Sequence, residues 1–150
     1  MPDYAFEGNF LYHVRLLKRL YERTLADAAA ESGLSLPEAD VLSFLREYPA
    51  FDTARDVALY REVSKAYVSN AVEALEDRGY LSVVRDAADR RVQHLAVTPA
   101  AGETARRLHE AQFGFYGRVT RGIPMEEINR MLGTMTKCAL NVQRAAEEYL

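Results

Sequence analysis

Over residues about 5–31 apolar side chains return every three or four positions: Phe6, Phe10, Val14, Leu17, Tyr21 and Leu25. That period predicts a first helix. Leu11, Leu16 and Leu20 widen its stripe beyond what one face of a monomer buries. Gly33 supplies the stop. Ser35 and Glu38, at capping-box spacing with Pro37 in the first turn, open a second helix with Ala39, Leu42 and Leu45 as its apolar face. Tyr48-Pro49 closes it, because the residue before a proline disfavours helical geometry. Thr53 and Asp56 form a second capping pair before a short third helix that ends near Tyr60-Arg61, with Val57 and Ala58 inward. Ser64 caps a fourth, roughly 65–78, whose buried face is Val68, Ala71, Val72 and Leu75. Gly79 follows its end.

The pattern then changes to period two. Leu81 and Val83 alternate with Tyr80, Ser82 and Val84, and Leu95 and Val97 with His94 and Ala96. Between them lies the polar run Arg85-Asp86-Ala87-Ala88-Asp89-Arg90-Arg91, so a β-hairpin follows directly on two short helices. Thr98 and Pro99 read as the cap and first position of a fifth helix running to about Arg121-Gly122. A sixth starts at Pro124 and continues to the C-terminus through Ile128, Met131, Leu132, Met135, Leu140 and Val142. The expected fold is mainly α with a small β-hairpin wing, a winged helix-turn-helix with a helical dimerisation region. It forms one domain over 1–150, in which 34–99 make the winged lobe and 1–33 with 100–150 the helical part.

Two short helices and a hairpin carry a functional implication. The second helix of such a pair rests on the core with one face and enters a DNA major groove with the other. On the helix at 65–78 the non-core side near the N-terminus is Lys65, Ala66, Tyr67, Ser69 and Asn70. Short and hydrogen-bonding groups suit base edges; Asn pairs with adenine and Lys with guanine. Arg90 and Arg91 at the hairpin tip suit a narrow minor groove, and Asp86 or Asp89 is expected to orient a neighbouring arginine. Arg85, and Arg55 or Arg61, are candidates for phosphate contact. Each has a plainer reading. Asn70 can be a solvated helix residue, Tyr67 can pack against the turn, and the arginines can be a solvated loop.

Charge tempers the picture. The whole chain carries −3, and from Arg55 to Arg91 seven cations (Arg55, Arg61, Lys65, Arg78, Arg85, Arg90, Arg91) meet seven anions (Asp56, Glu62, Glu73, Glu76, Asp77, Asp86, Asp89). Binding must therefore depend on position, with Glu73, Glu76 and Asp77 in the later part of the helix. The neutral module also keeps open a winged helix used for protein–protein contact, without effector or specific DNA.

Other chemistry is sparse. There is no nucleophile with a base motif, no phosphate-cradling glycine loop, and no ligand-like spacing around His13, His94 or His109, so no enzyme, cofactor or metal is expected. A single cysteine, Cys138, cannot form an internal disulfide and reads as a buried inert thiol rather than a redox sensor. With no apolar run of membrane-spanning length and no signal-peptide pattern at Met1-Pro2-Asp3-Tyr4, a cytoplasmic location is expected.

The string Ser64-Lys65-Ala66-Tyr67-Val68-Ser69-Asn70-Ala71-Val72-Glu73-Ala74-Leu75-Glu76-Asp77-Arg78-Gly79-Tyr80-Leu81 resembles the recognition helix of the MarR family. Asp86-Ala87-Ala88-Asp89-Arg90-Arg91, with Leu95, Val97 and Thr98 after it, is similar to that family's wing, except that Ala87 stands where proline is common. The resemblance implies an obligate homodimer built by the first, fifth and sixth helices. It implies a palindromic DNA site, usually repression, and in many members release by a small aromatic or phenolic ligand. It also implies a cleft where the first, second and fifth helices meet the DNA-binding lobe. Phe10, His13, Leu17, Phe113 and Tyr116 are candidates for its lining. The same residues, with Tyr4, Phe6, Tyr12 and Phe115, can equally be dimer core. Gly114 and Gly117 are expected to weaken the fifth helix.

Overall fold

The structure, a computed structural model, describes residues 4–148, with side chains described for residues 10–147; those of Tyr4 and Phe6 lie outside this range. Its elements are α1 (Tyr4–Glu31), α2 (Leu36–Glu47), α3 (Ala54–Arg61), α4 (Lys65–Asp77), β1 (Leu81–Arg85), β2 (Gln93–Val97), α5 (Gly102–Val119) and α6 (Met125–Glu148). The expected mainly helical fold with one hairpin is the observed one. No helix among the described residues is long and apolar enough to cross a membrane.

The chain divides into two compact units, Met1–Phe115 and Tyr116–Leu150. The division falls between Gly114 and Gly117, yet α5 runs unbroken through both.

In the first unit α2 is central. Sequence periodicity assigned it one apolar face, but Ala39 and every residue from Val41 to Leu45 are buried. The helix packs against α1, α3, α4 and β2, so it is covered on several sides. Val57 of α3, Val68, Ala71 and Leu75 of α4, and Leu81 and Leu95 of the hairpin complete the core. Among the described residues of α1, those of its second half join it. Leu25 and Ala29 are buried, with Tyr21 and Ala28 packed beside them, whereas Phe10 to Leu20 are exposed. Gln112 of α5 donates to the Tyr21 hydroxyl at 2.6 Å, and Phe115 meets the Tyr21 ring edge-on.

Local chemistry sets the boundaries. Both expected capping boxes form, Ser35 with Glu38 and Thr53 with Asp56. Gly33 and Gly79 adopt left-handed backbone at φ 65° and 71°, and each closes its helix with a bond from the next residue's N–H (Leu34 to Ala29, Tyr80 to Leu75). Between α3 and α4 the same closure is made by Glu62 at φ 53°, with Val63 N–H on the Ala58 carbonyl. Thr98 departs from expectation. Its side chain caps no helix; the hydroxyl donates to the Gly79 carbonyl at 2.6 Å, tying the end of β2 to the end of α4. A single turn of 3-10 helix, Pro99–Ala101, then leads into α5.

A long-range polar staple locks α4 to the start of α2. Glu38 is buried, and its carboxylate accepts from the Ser35 N–H at 2.7 Å and from Arg78 Nε at 3.0 Å. Arg78 Nη2 also donates to the Gly33 carbonyl at 2.8 Å. Burial pushes the Glu38 carboxyl up, but the hydrogen bonds from Ser35 and the charge and hydrogen bond of Arg78 outweigh it and hold it below the ordinary value of 4.5. Arg78→Ala is expected to lower unfolding free energy by about 1–3 kcal/mol in urea titrations near neutral pH, because a buried acceptor loses its partner. A group with a depressed native value contributes stability that is full above its unfolded value and is lost as pH falls through the native one. The variant should therefore show a smaller acid-dependent loss below the ordinary glutamate range than the wild type. An unchanged acid profile would refute this role for Arg78.

Candidate nucleic-acid interface

The exposed arc of α4 follows from its buried one. Val68, Ala71 and Leu75 face the core, which turns Lys65, Ala66, Ser69 and Asn70 to solvent. Ser64 Oγ accepts the Tyr67 N–H at 3.1 Å and fixes the first turn. Glu73, four residues after Ser69, shares this exposed arc, so one of the acids of the later helix lies on the same face as the residues at its start. The simple i, i+4 count on the buried face would have shown it.

Two expected DNA contacts are turned inward. Tyr67 is partly buried and packed against the core. Its hydroxyl is pushed up by burial and by the charges of Asp40 and Glu22, against a smaller opposing effect of Arg61. Arg61 pairs with Asp40 at 3.1 Å and lays its guanidinium 5.3 Å from the centre of the Phe44 ring. Burial holds the Asp40 carboxyl above its ordinary value, and the charge of Arg61 offsets this only in part. Arg61 thus fastens α3 to α2, which leaves Arg55, exposed in the first turn of α3, as the cation on that helix that faces solvent.

The hairpin is antiparallel, with Leu81 opposite Val97 and Arg85 opposite Gln93. Its turn is held by aspartates, though not in the expected way. Asp86 Oδ1 accepts the N–H groups of Ala88 and Asp89, both at 2.8 Å, and Asp89 Oδ1 accepts the Arg91 N–H at 2.9 Å. The carboxylates therefore order the backbone and do not pair with the guanidinium groups. Asp89 holds the Arg91 main chain and makes no contact with its guanidinium. These backbone bonds, then the bond from His94, hold the Asp86 carboxyl below the ordinary range. Among the described residues Arg55, Lys65, Arg85, Arg90 and Arg91 enter no ion pair.

A contact the periodicity did not reveal joins the hairpin to the loop before α3. Thr53 bridges His94, and the Leu95 N–H donates to the Asp52 carbonyl at 2.7 Å. α4 packs against α3 and β1, and α3 against β2, so recognition helix and wing belong to one lobe.

Phe10, His13 and Leu17 lie at i, i+3 and i+7 on one stripe of α1, all exposed, with His13 edge-on to Tyr12. Phe113 of the first unit is 73% exposed and Tyr116 of the second 56%. A cavity of about 430 Å³ on α1 is lined by Tyr12, Arg15, Lys18, Arg19 and Glu22, on the other side of that helix. Cys138, expected to be buried, is exposed in the single chain, on a helix whose apolar side chains are themselves uncovered.

Residues 32–92 match the model of the MarR family. Among solved structures the chain is similar to CouR from Rhodococcus jostii RHA1 bound to p-coumaroyl-CoA (22% identity, 91% of this chain and 96% of that chain, TM-score 0.75). A MarR-family transcriptional regulator from Silicibacter pomeroyi matches with 23% identity over 91% and 92% of the two chains, at TM-score 0.78. A mutant of S. aureus MepR bound to an oligodeoxyribonucleotide matches with 16% identity over 89% and 97%, at TM-score 0.57. No curated protein sequence matches the chain.

Proposed function

We propose that this chain, whose residues 32–92 match the model of the MarR family, is a transcriptional repressor that binds a palindromic duplex as a homodimer. The observation that carries this reading is the exposed start of α4. Lys65, Ala66, Ser69 and Asn70 are directed away from the core, at the end of a helix whose free N–H groups favour phosphate. Asn70 is the proposed base reader, Lys65 a phosphate or guanine contact, and Arg55, Arg85, Arg90 and Arg91 the cations that fix the lobe on the backbone and in the minor groove. Arg61 and Tyr67 serve the lobe itself. The likeness to a regulator solved with an oligodeoxyribonucleotide supports the DNA reading. Repression follows where such a site overlaps a promoter and excludes polymerase.

We further propose a small aromatic effector acting at Phe10, His13, Leu17 and Phe113. The likeness to a regulator solved with p-coumaroyl-CoA supports this. Such a ligand releases DNA only if it prefers one spacing of the two lobes over the other.

Anisotropy titration of DNA flanking the chain's own gene, against a scrambled duplex of equal length, tests the reading. The expected result is a preference of about a thousandfold or more for one palindromic segment at physiological salt. In the same assay, phenolic acids and their CoA thioesters that raise the melting temperature should weaken binding. Equal affinity for all duplexes refutes specific recognition. A stabilising compound that leaves DNA affinity unchanged refutes the effector role.

A further inference from the structure

His94 sits in β2 with a carboxylate at each ring nitrogen. Nδ1 lies 2.9 Å from Asp52 Oδ1, and Nε2 lies 3.3 Å from Asp86 Oδ2. A neutral imidazole has one N–H. It can serve one of these acceptors, and its bare nitrogen then faces the other anion. Only the imidazolium satisfies both. The two carboxylates belong to different parts of the lobe. Asp52 precedes α3, its carbonyl holds Leu95, and the next residue, Thr53, caps α3. Asp86 organises the wing turn: it accepts from Ala88 and Asp89, and its own N–H donates to the Val92 carbonyl.

We propose that His94 is a pH-dependent strut: with both nitrogens protonated it joins the wing turn to the cap of α3, and loss of one proton releases the turn. Other charges lie on the elements packed around it. The hairpin carries Arg85, Asp89, Arg90 and Arg91, the first turn of α3 carries Arg55 and Asp56, and α2, which packs on β2, ends in Arg46 and Glu47. Asp56 is committed to Thr53, and the ring responds to Asp52 and Asp86. The hydrogen bond to Asp52, then that to Asp86, raises the imidazole above its ordinary 6.5. The sign follows. A raised histidine supports the closed wing fully at low pH, and the support is lost as pH rises through the native value. Because the turn carries Arg90 and Arg91, the strut would also make DNA affinity fall on the alkaline side. That consequence rests on the DNA reading; the strut does not.

The test uses the full-length chain labelled for NMR, between about pH 5.5 and 9. The ring shifts of His94 are followed together with protection of the Ala88, Asp89 and Arg91 amides, each referred to its intrinsic exchange rate at that pH. His94 should titrate above 6.5, with protection of those amides falling about three- to tenfold across the same transition. His94→Gln should remove the dependence, and Asp52→Asn should move the transition to lower pH while keeping the histidine, so the test survives a poorly folded glutamine variant. A His94 that titrates at or below 6.5, or wing amides indifferent to its transition, overturns the proposal. Wing amides that follow His94 while DNA affinity does not would uphold the strut and refute the wing as a DNA contact.

Discussion

Replacing both Arg90 and Arg91 by alanine is expected to weaken binding to every duplex by about a hundredfold at low salt and to flatten the salt dependence. The wing turn is held by Asp86 and Asp89 through backbone N–H groups, so it keeps its shape when the guanidinium groups are removed. What is lost is charge. Arg55, Lys65, Arg85, Arg90 and Arg91 give five uncommitted cations per subunit, twice five or ten in a dimer. Each neutralised phosphate contributes about −0.9 to the log–log salt slope, and arginines lodged in a groove contribute less, so the wild-type slope should lie at roughly −5 to −9. Taking away four cations should reduce its magnitude by about 2–4. Asn70→Ala should behave otherwise. It should cost about 1–3 kcal/mol on the palindromic site and almost nothing on a scrambled duplex, with the slope unchanged. Equal losses on all sequences for both variants would mean that the helix and wing do not divide base and backbone recognition between them.

Much of this architecture is legible in the sequence because its signals are local. Ser35 with Glu38 and Thr53 with Asp56 announce helix starts, Gly33 and Gly79 announce ends, and Leu81, Val83, Leu95 and Val97 announce strands. The turn between α3 and α4 hides from such reading, since Glu62 takes the left-handed conformation that glycine normally marks. Pairings distant in sequence are equally silent. Nothing in the spacing links Arg61 to Asp40, Arg78 to Glu38, or His94 to Asp52, and the first two pairings redirect arginines that a count of charges treats as free. Asp89 shows the same limit at short range. Arg90 and Arg91 follow it, yet it takes the Arg91 backbone N–H and neither guanidinium.

The largest effect is expected from a charge in α6. Ile128, Met131, Leu132, Met135, Cys138, Ala139 and Val142 recur at intervals of three and four, so they share one stripe of the helix. In the single chain Met131, Leu132 and Val142 are each more than half exposed, and Met135 is 43% exposed. On α1, Leu16, Leu17 and Leu20 are similarly uncovered. Each of these long helices thus carries an uncovered apolar stripe of the kind a partner helix covers. A second copy of the chain is the occupant proposed above. Met135→Asp puts a carboxylate in the middle of the stripe. In a monomer the position faces water and folding loses little, whereas in a dimer the charge is buried without a partner. The variant should sediment as a monomer at micromolar concentration with the hairpin and α2 intact by NMR. Its affinity for the palindromic site should fall by at least about a hundredfold, because the two half-sites are no longer bound by one linked body. Cys138 gives an internal check. Exposed in the protomer and lying on the same stripe, it should react slowly with a thiol reagent in the wild type and quickly in Met135→Asp. A wild type that is monomeric with a fast-reacting Cys138, or a Met135→Asp variant that still dimerises, would show that this face is not the dimer seam.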